Sequence, residues 1–582
     1  MDVQMNSEII VDDEPILNQN RPLSPSSNSH TMAGKVICGY QGWFGTPSDA
    51  SGEERWRHWG GGTPNNLERV SFELYPDIRE YALSDLHATG YAAHGNGQES
   101  ALFSSYSQET VDIHFRWMAE YGIDGVALQR FFSDIPSPRM RHVMDNVRQA
   151  AEKYGRVFYI CYDISGGRGD DFVSRLCGDI DRLNDWVLDS PAYLHEGDRP
   201  VLQLWGFGVK GNCRCTPEQA MEVVRYAKQK GFYLIVGTPA QFREGGTDSL
   251  PEFAPVYDQF DMISPWQVGR FGKCEEVAPY YEQLLRPDGE YCLSKGQGYM
   301  PVLFAGFAWS LWLHGPANAI PRLGGRFFWE QAKAAARIHT TALYIAMFDE
   351  YDESTAIMKA AEDSSQIPQG KYFLTTCADG DFVSSDFYLR LVGKLTEIYR
   401  NQQPLPDSVP VPLSEGPVYL RTGFEAMTDA APSIKMLRGE ADDCDVRVET
   451  TAKAHRGDAA LHVRMASQTT LTNLLIGIFN TGSYTISSTM TLRAYMRPEN
   501  DGGQCVLWDV QTEEGTWLSD TEGYRLDNVD KSFAGGAIGE WNRVMIPVGR
   551  YLEGKTIRTI ALRYPGGALD ADVYIDDVLL YE

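Results

Sequence analysis

"ALYIAMFDEYDESTAI", residues 342–357, begins as an unbroken apolar run and ends with Asp349, Glu350, Asp352 and Glu353 inside five positions. A short apolar run bounded by polar residues reads as a strand buried on both faces. It is the last of eight such runs. The others are "KVICGYQGWF" (35–44), "IDGVALQRFF" (123–132), "RVFYICYDI" (156–164), "PVLQLWGFG" (200–208), "FYLIVGTP" (232–239), "FDMISPWQVG" (260–269) and "PVLFAGFAWS" (301–310). Helical stretches fit between them at 108–121, 138–154, 170–187, 217–230, 275–286 and 328–340, with a closing one at 384–401. Thr216 followed by Pro217 supplies the start signal for the fourth of these, and Gly231 beyond it the stop.

Buried strands alternating with helices give a parallel sheet covered on both sides, and eight units predict an α/β fold, a (β/α)8 TIM barrel over 33–402. The long excursions at 45–107 and 308–327 then become loops at the barrel mouth. No glycine-rich phosphate fingerprint follows any strand, which disfavours dinucleotide and P-loop folds.

Residues 403–417, "QPLPDSVPVPLSEGP", are too rich in proline for helix or inner strand and read as a linker. Beyond it, 418–582 carries short alternating runs such as "ALHVRM", "MTLRAYMRP", "IRTIALRY" and "DVYIDDVLLYE". They predict an all-β jelly-roll sandwich. Residues 1–32, acidic and then rich in Asn, Pro and Ser, read as a disordered leader without the basic-then-apolar order of a signal peptide. A cytoplasmic start and an exported chain (periplasmic or extracellular) whose signal has been removed both stay open.

The net charge of −27 argues against nucleic acid, whose phosphates would be repelled. No window is long and apolar enough for a membrane span. Among the scattered cysteines, Cys213 and Cys215 form C-x-C, not a paired C-x-x-C, and free thiols are expected. Abundant Trp and Tyr suit a protein that stacks sugar rings.

In a barrel, the chemistry sits on loops leaving the C-terminal strand ends. "FDEYDE" leaves the eighth strand there. If it turns helically, Glu350 and Glu353 become neighbours, roughly 5–6 Å apart at Cβ. Two carboxyls so close cannot both ionise freely, so one stays protonated near neutral pH and the pair offers an acid and a base. Glycoside hydrolysis uses such a pair. Other strand ends contribute Tyr40, Trp43, His58, Trp59, Arg130, Asp163, Trp205, Trp266 and Trp309 as candidates to bind an oligosaccharide or polysaccharide. Two further readings stay open: a metal-dependent hydrolase whose ligands are the 349–353 carboxylates, and a non-catalytic glycan-binding protein.

"YQGWFGTP" with "RHW" downstream, "SFELYPDIREY" and "FDEYDESTAI" together resemble glycoside hydrolase families 71 and 99, and more closely the bacterial 71/99-like proteins labelled xylosidase or arabinosidase. The resemblance spans about residues 33–402. It implies a retaining glycosidase acting on an α-linked glycan without a catalytic cofactor. Glu350 would take the proton of the sugar's own 2-hydroxyl, giving a 1,2-anhydro intermediate, and Glu353 would act as acid and then base. The chain has Asp349 where family 99 has Asn, and Tyr351 where Trp is frequent. The C-terminal part resembles carbohydrate-binding modules of the galactose-binding-like type. In these an early Glu and a late Asp hold a structural calcium, which maps onto Glu425 with Asp576 or Asp577. Trp508, Trp517 and Trp541 are stacking candidates there.

Overall fold

The computed structural model describes residues 23–413, apart from 95–96, 247, 364–365 and 380. In the C-terminal part it describes 418–422, 435–438, 444–454, 460–467, 472–479, 484–487, 490–521, 524, 538–566 and 570–581.

The N-terminal part is built on a curled parallel sheet. Its strands are β1 (Val36–Tyr40), β2 (Gly125–Phe131), β3 (Val157–Asp163), β4 (Arg199–Trp205), β5 (Tyr233–Thr238), β6 (Met262–Pro265), β7 (Gly298–Tyr299), β8 (Val302–Phe304) and β9 (Leu343–Ala346). They pair in the order β7-β6-β5-β4-β3-β2-β1-β9-β8. The two ends of this path are separated in the chain only by Met300 and Pro301, so one stretch supplies both edges and the sheet curls back on itself. Pro301 has no N–H to give a ladder and separates the two short strands; the seventh predicted run, 301–310, keeps only Val302–Phe304 as strand, and Gly298–Tyr299 lies before it.

The helices follow the periodicity closely. Gln108–Tyr121 is capped by Ser107, whose side chain accepts from the Thr110 N–H. Pro138–Tyr154 is capped by Ser137 in the same way, and Pro217–Gln229 begins with a capping box between Thr216 and Gln219. The stretch read as one helix at 275–286 runs further. Cys274–Tyr280 passes through a π-helical turn into Arg286–Ser294.

Two segments read as detached from the barrel are bonded to it. Within the leader, Ser24 Oγ donates to the Ala119 carbonyl at 2.7 Å. Arg156 Nη1 donates to Ser24 Oγ at 3.1 Å, and the His195 N–H donates to Ser29 O at 2.7 Å. These groups lie where helix 108–121 ends and β3 begins, so polar residues at 24–29 satisfy donors and acceptors at that end of the barrel. In the proline-rich stretch, Pro406 O accepts from Trp329 Nε1 at 2.9 Å and Val411 is buried. This segment therefore lies along helix Arg326–Ala335.

The C-terminal part holds two antiparallel sheets, of six and five strands, around an apolar core that includes Val463, Ile478, Met496, Val510, Leu562 and Val573. Trp508 is buried in it and Trp517 is buried against Ala561, which removes both as stacking platforms; Trp541 is half-buried. For the calcium reading, Glu425 and the Asp577 side chain lie outside the described residues, and Asp576 is buried in the last strand.

Candidate active site

β9 ends at Ala346, and the chain beyond it is tied down by backbone bonds. Phe348 N–H donates to Gly39 O at 2.7 Å. Both oxygens of the fully buried Asp349 accept main-chain N–H groups from the loop after β1: Gln41 at 2.7 Å and Gly42 at 2.8 Å. Gly42 has φ +61°, a left-handed conformation that suits glycine and lets two successive N–H groups face one carboxyl. The Glu350 carbonyl then accepts from Thr355 (3.1 Å) and Ala356 (3.0 Å), closing residues 351–354 into a tight turn. Arg322 holds the far side through Ser354 O (2.8 Å) and Ala356 O (2.6 Å).

The four acids therefore have separate fates. Asp349 is engaged by backbone, and burial pushes its carboxyl up to about 7. Asp352 Oδ2 lies 2.9 Å from His58 Nδ1, while its Oδ1 is buried without a partner. Only Glu350 and Glu353 reach a cavity of about 790 Å³ at the mouth of the sheet. Glu350 is buried and accepts from Gln41 Nε2 at 3.0 Å; Glu353 is half-buried. Burial, with the neighbouring charges of Glu353 and Asp352, holds the Glu350 carboxyl well above its usual range. Burial and then Asp352 push Glu353 up to about 7. The sequence reading expected one raised carboxyl; here both rise. Burial and like charge disfavour ionising both at once, so the pair offers a proton donor beside a proton acceptor. Tyr351 between them turns inward, its hydroxyl donating to Lys359 O at 2.7 Å.

Trp43, His58, Asp163, Trp205, Trp266 and Trp309 line this cavity. The His58 ring lies flat on Trp43, 3.7 Å between centroids and 4° between planes. Asp163, at the end of β3, accepts from the Ser165 N–H at 2.7 Å, and burial pushes it up to about 6.

Three candidates are elsewhere. Tyr40 is fully buried, its hydroxyl 2.8 Å from His114 Nδ1. His114 also meets Tyr81 at 2.8 Å, and burial holds the imidazole down to about 3. Trp59 is packed beside Phe44 and Tyr351 with Nε1 donating to Phe103 O. Arg130 pairs with Asp179 on helix Phe172–Trp186. Its neighbour Gln129 lines the cavity instead, because successive strand side chains point to opposite faces. The same alternation turns Tyr40 away and brings Gln41 in. Gln41, Gln129, Tyr344 and Trp312 were missed as cavity residues; strict two-residue phasing along β1, β2 and β9 would have found the first three.

Among the described residues no cluster of three or more His, Cys, Asp and Glu side chains converges as a metal site would. No helix among them is long and apolar enough to cross a membrane.

No family model matches the chain, and no curated protein does. Among solved structures, it is similar to the family 99 endo-α-mannosidase of Bacteroides thetaiotaomicron, at 15% identity, covering 64% of this chain and 99% of that one, with a TM-score of 0.47. A glycoside hydrolase-like protein matches at 12% identity over 60% of this chain and 99% of its own, TM-score 0.38. A family 5 enzyme of Streptomyces cattleya, in complex with GlcNAc, matches at 13% identity over 52% and 77%, TM-score 0.33.

Proposed function

We propose that this chain is a glycoside hydrolase whose acid and base are Glu353 and Glu350. One observation carries the reading: Glu350 and Glu353, both held above the ordinary carboxyl range by burial and neighbouring acids, are the acidic groups of the β9 turn that open into a tryptophan-walled cavity. Indole faces offer apolar platforms for the C–H faces of sugars, and the carboxyl pair offers a proton donor and a proton acceptor.

A sugar hydroxyl donating to Glu350 would favour its carboxylate form, since a hydrogen bond to the charged form lowers a carboxyl's pKa. A proton on Glu353, which no side-chain donor among the described residues restrains, is then ready for the leaving oxygen. This supports the scheme in which the 2-hydroxyl of an α-linked substrate attacks its own anomeric carbon with Glu350 as base, followed by opening with water activated by Glu353. Both steps invert, so the configuration is retained overall. The jelly-roll, carbohydrate-binding role of the C-terminal sheets belongs to the same proposal.

A metal-dependent reaction at 349–353 fits the donor set poorly, because Asp349 faces two N–H groups and Asp352 faces His58. The test is a panel of plant, yeast and bacterial glycans with NMR of the first-formed product. The reading expects release of sugar with retained anomeric configuration. Inverted product would overturn the mechanism, and binding without any release would favour a non-catalytic glycan-binding protein.

A further inference from the structure

We propose that Cys213 and Cys215 form a reversible dithiol–disulfide site in a loop whose neighbouring residues line the cavity. They lie in the loop between β4 and helix Pro217–Gln229, with their sulfurs 3.7 Å apart and in hydrogen-bond contact. Cys213 is half-buried and Cys215 is buried. That is the arrangement of an attacking thiol backed by a resolving one.

The surroundings favour the attacking role of Cys213. The hydrogen bond from Cys215 is the largest influence and draws the Cys213 thiol down to about 7, against the opposing effect of burial. Cys215 is held up by the same contact and by burial. The other titratable groups facing Cys213 are Glu252 and Tyr257, neither of them a cation. Burial instead raises the thiols of Cys38, Cys161 and Cys292, which leaves them inert as nucleophiles.

The co-reactant is a low-molecular-weight disulfide of the glutathione type. The Cys213 thiolate attacks one of its sulfurs, forming a mixed disulfide and expelling one thiolate. Cys215 gives up its proton, its sulfur attacks Cys213, and the second small thiolate leaves. Two cysteine thiols are oxidised and one small disulfide is reduced to two thiols. The sulfurs must close from 3.7 Å to about 2.05 Å across a single intervening residue, so the ring is tight and easily reduced again. Val209 and Asn212 of the same loop line the cavity, and the N–H groups of Asn212 and Cys213 both bond to Val209 O (3.1 and 2.8 Å). Closing the ring therefore reshapes that wall.

The experiment incubates the full chain with oxidised glutathione, quenches by alkylation and digests with trypsin, which cuts after Lys210 and Arg214. In the oxidised chain the fragments 211–214 and 215–225 stay joined, and mild reduction with a monothiol separates them. Cys215→Ser stops at glutathione on Cys213; Cys213→Ser gains nothing at this site. With wild type alone, the alkylation rate of Cys213 rises with pH through a midpoint near 7. Persistent alkylation of both thiols after oxidation, a mixed disulfide that never resolves in wild type, or pairing with another cysteine each overturns the proposal.

Discussion

Gln41 Nε2 donates to Glu350 Oε2 at 3.0 Å, and the backbone N–H of the same glutamine donates to Asp349 Oδ1 at 2.7 Å. One residue of the β1 loop thereby fixes two consecutive acids of the β9 turn, one through its main chain and one through its side chain. The bond to Glu350 acts against burial, favouring the charged form. Gln41→Ala keeps the main-chain anchor and removes only the amide. The Glu350 carboxyl should rise further, moving the kcat/KM–pH profile to higher pH and lowering neutral activity by about tenfold or more, as for loss of a hydrogen bond to a charged group. A profile that stays in place would show that Gln41 does not act through Glu350.

Asp352 pushes the other way. Its charge raises both Glu350 and Glu353. Asp352→Asn removes that charge while keeping an oxygen for His58, so both carboxyls should fall and the pH profile of kcat should move to lower pH. The shift is opposite in sign to that of Gln41→Ala, and measuring the two profiles side by side checks the electrostatic account.

Stability should also follow pH. Asp349, Glu353 and Asp288 are raised to about 7 and Asp163 to about 6. A carboxyl with a raised folded pKa contributes stability that is complete below its ordinary value and is lost as pH rises through the folded one. His94, held down to about 4, and His114, to about 3, work in the opposite direction, adding stability as pH climbs to the ordinary imidazole range. Above about pH 6.5 the unfolded histidines lose the rest of their charge and the Cys213 thiol, drawn down to about 7, acts in the same direction as they do, but the raised carboxyls outnumber them. The thermal midpoint should therefore fall between pH 6.5 and 8, and fall less steeply in Asp349→Asn. A midpoint that rises over that interval, or a slope unchanged in the variant, would contradict this.

The flanking segments bear on where the barrel can be cut. Residues 24–29 satisfy Arg156 and the Ala119 carbonyl, and Pro406 satisfies Trp329. A 23–413 fragment should fold with a higher thermal midpoint than 33–402, because the shorter one removes part of the acceptors of the buried Arg156 guanidinium, which keeps Ile123 O and Tyr154 O, and leaves the Trp329 indole N–H without Pro406 O. Equal midpoints would show that these contacts contribute little.

Much of this was legible from period and punctuation. Ser107, Ser137 and Thr216 mark helix starts in the sequence, and two of the predicted helices, 108–121 and 138–154, have the observed bounds. The position of Glu350 and Glu353 at a strand's C-terminal end follows from the same alternation of strands and helices. What the sequence hid is which face each residue takes. Arg130 looks like a sugar ligand until Asp179, distant in sequence, claims it from a helix. Trp59 looks like a rim residue until Tyr351 turns inward beside it. Such pairings depend on contacts between elements remote in the chain, and no local pattern encodes them.

The central claim is that Glu353 passes a proton to the glycosidic oxygen. Turnover of Glu353→Gln against wild type, on whichever glycan wild type cleaves, tests it most directly. The glutamine keeps the shape of the half-buried side chain and removes its proton chemistry. The account predicts a folded protein with turnover lowered by about 10²–10⁴-fold, the usual worth of general acid–base catalysis. Turnover within threefold of wild type would contradict it.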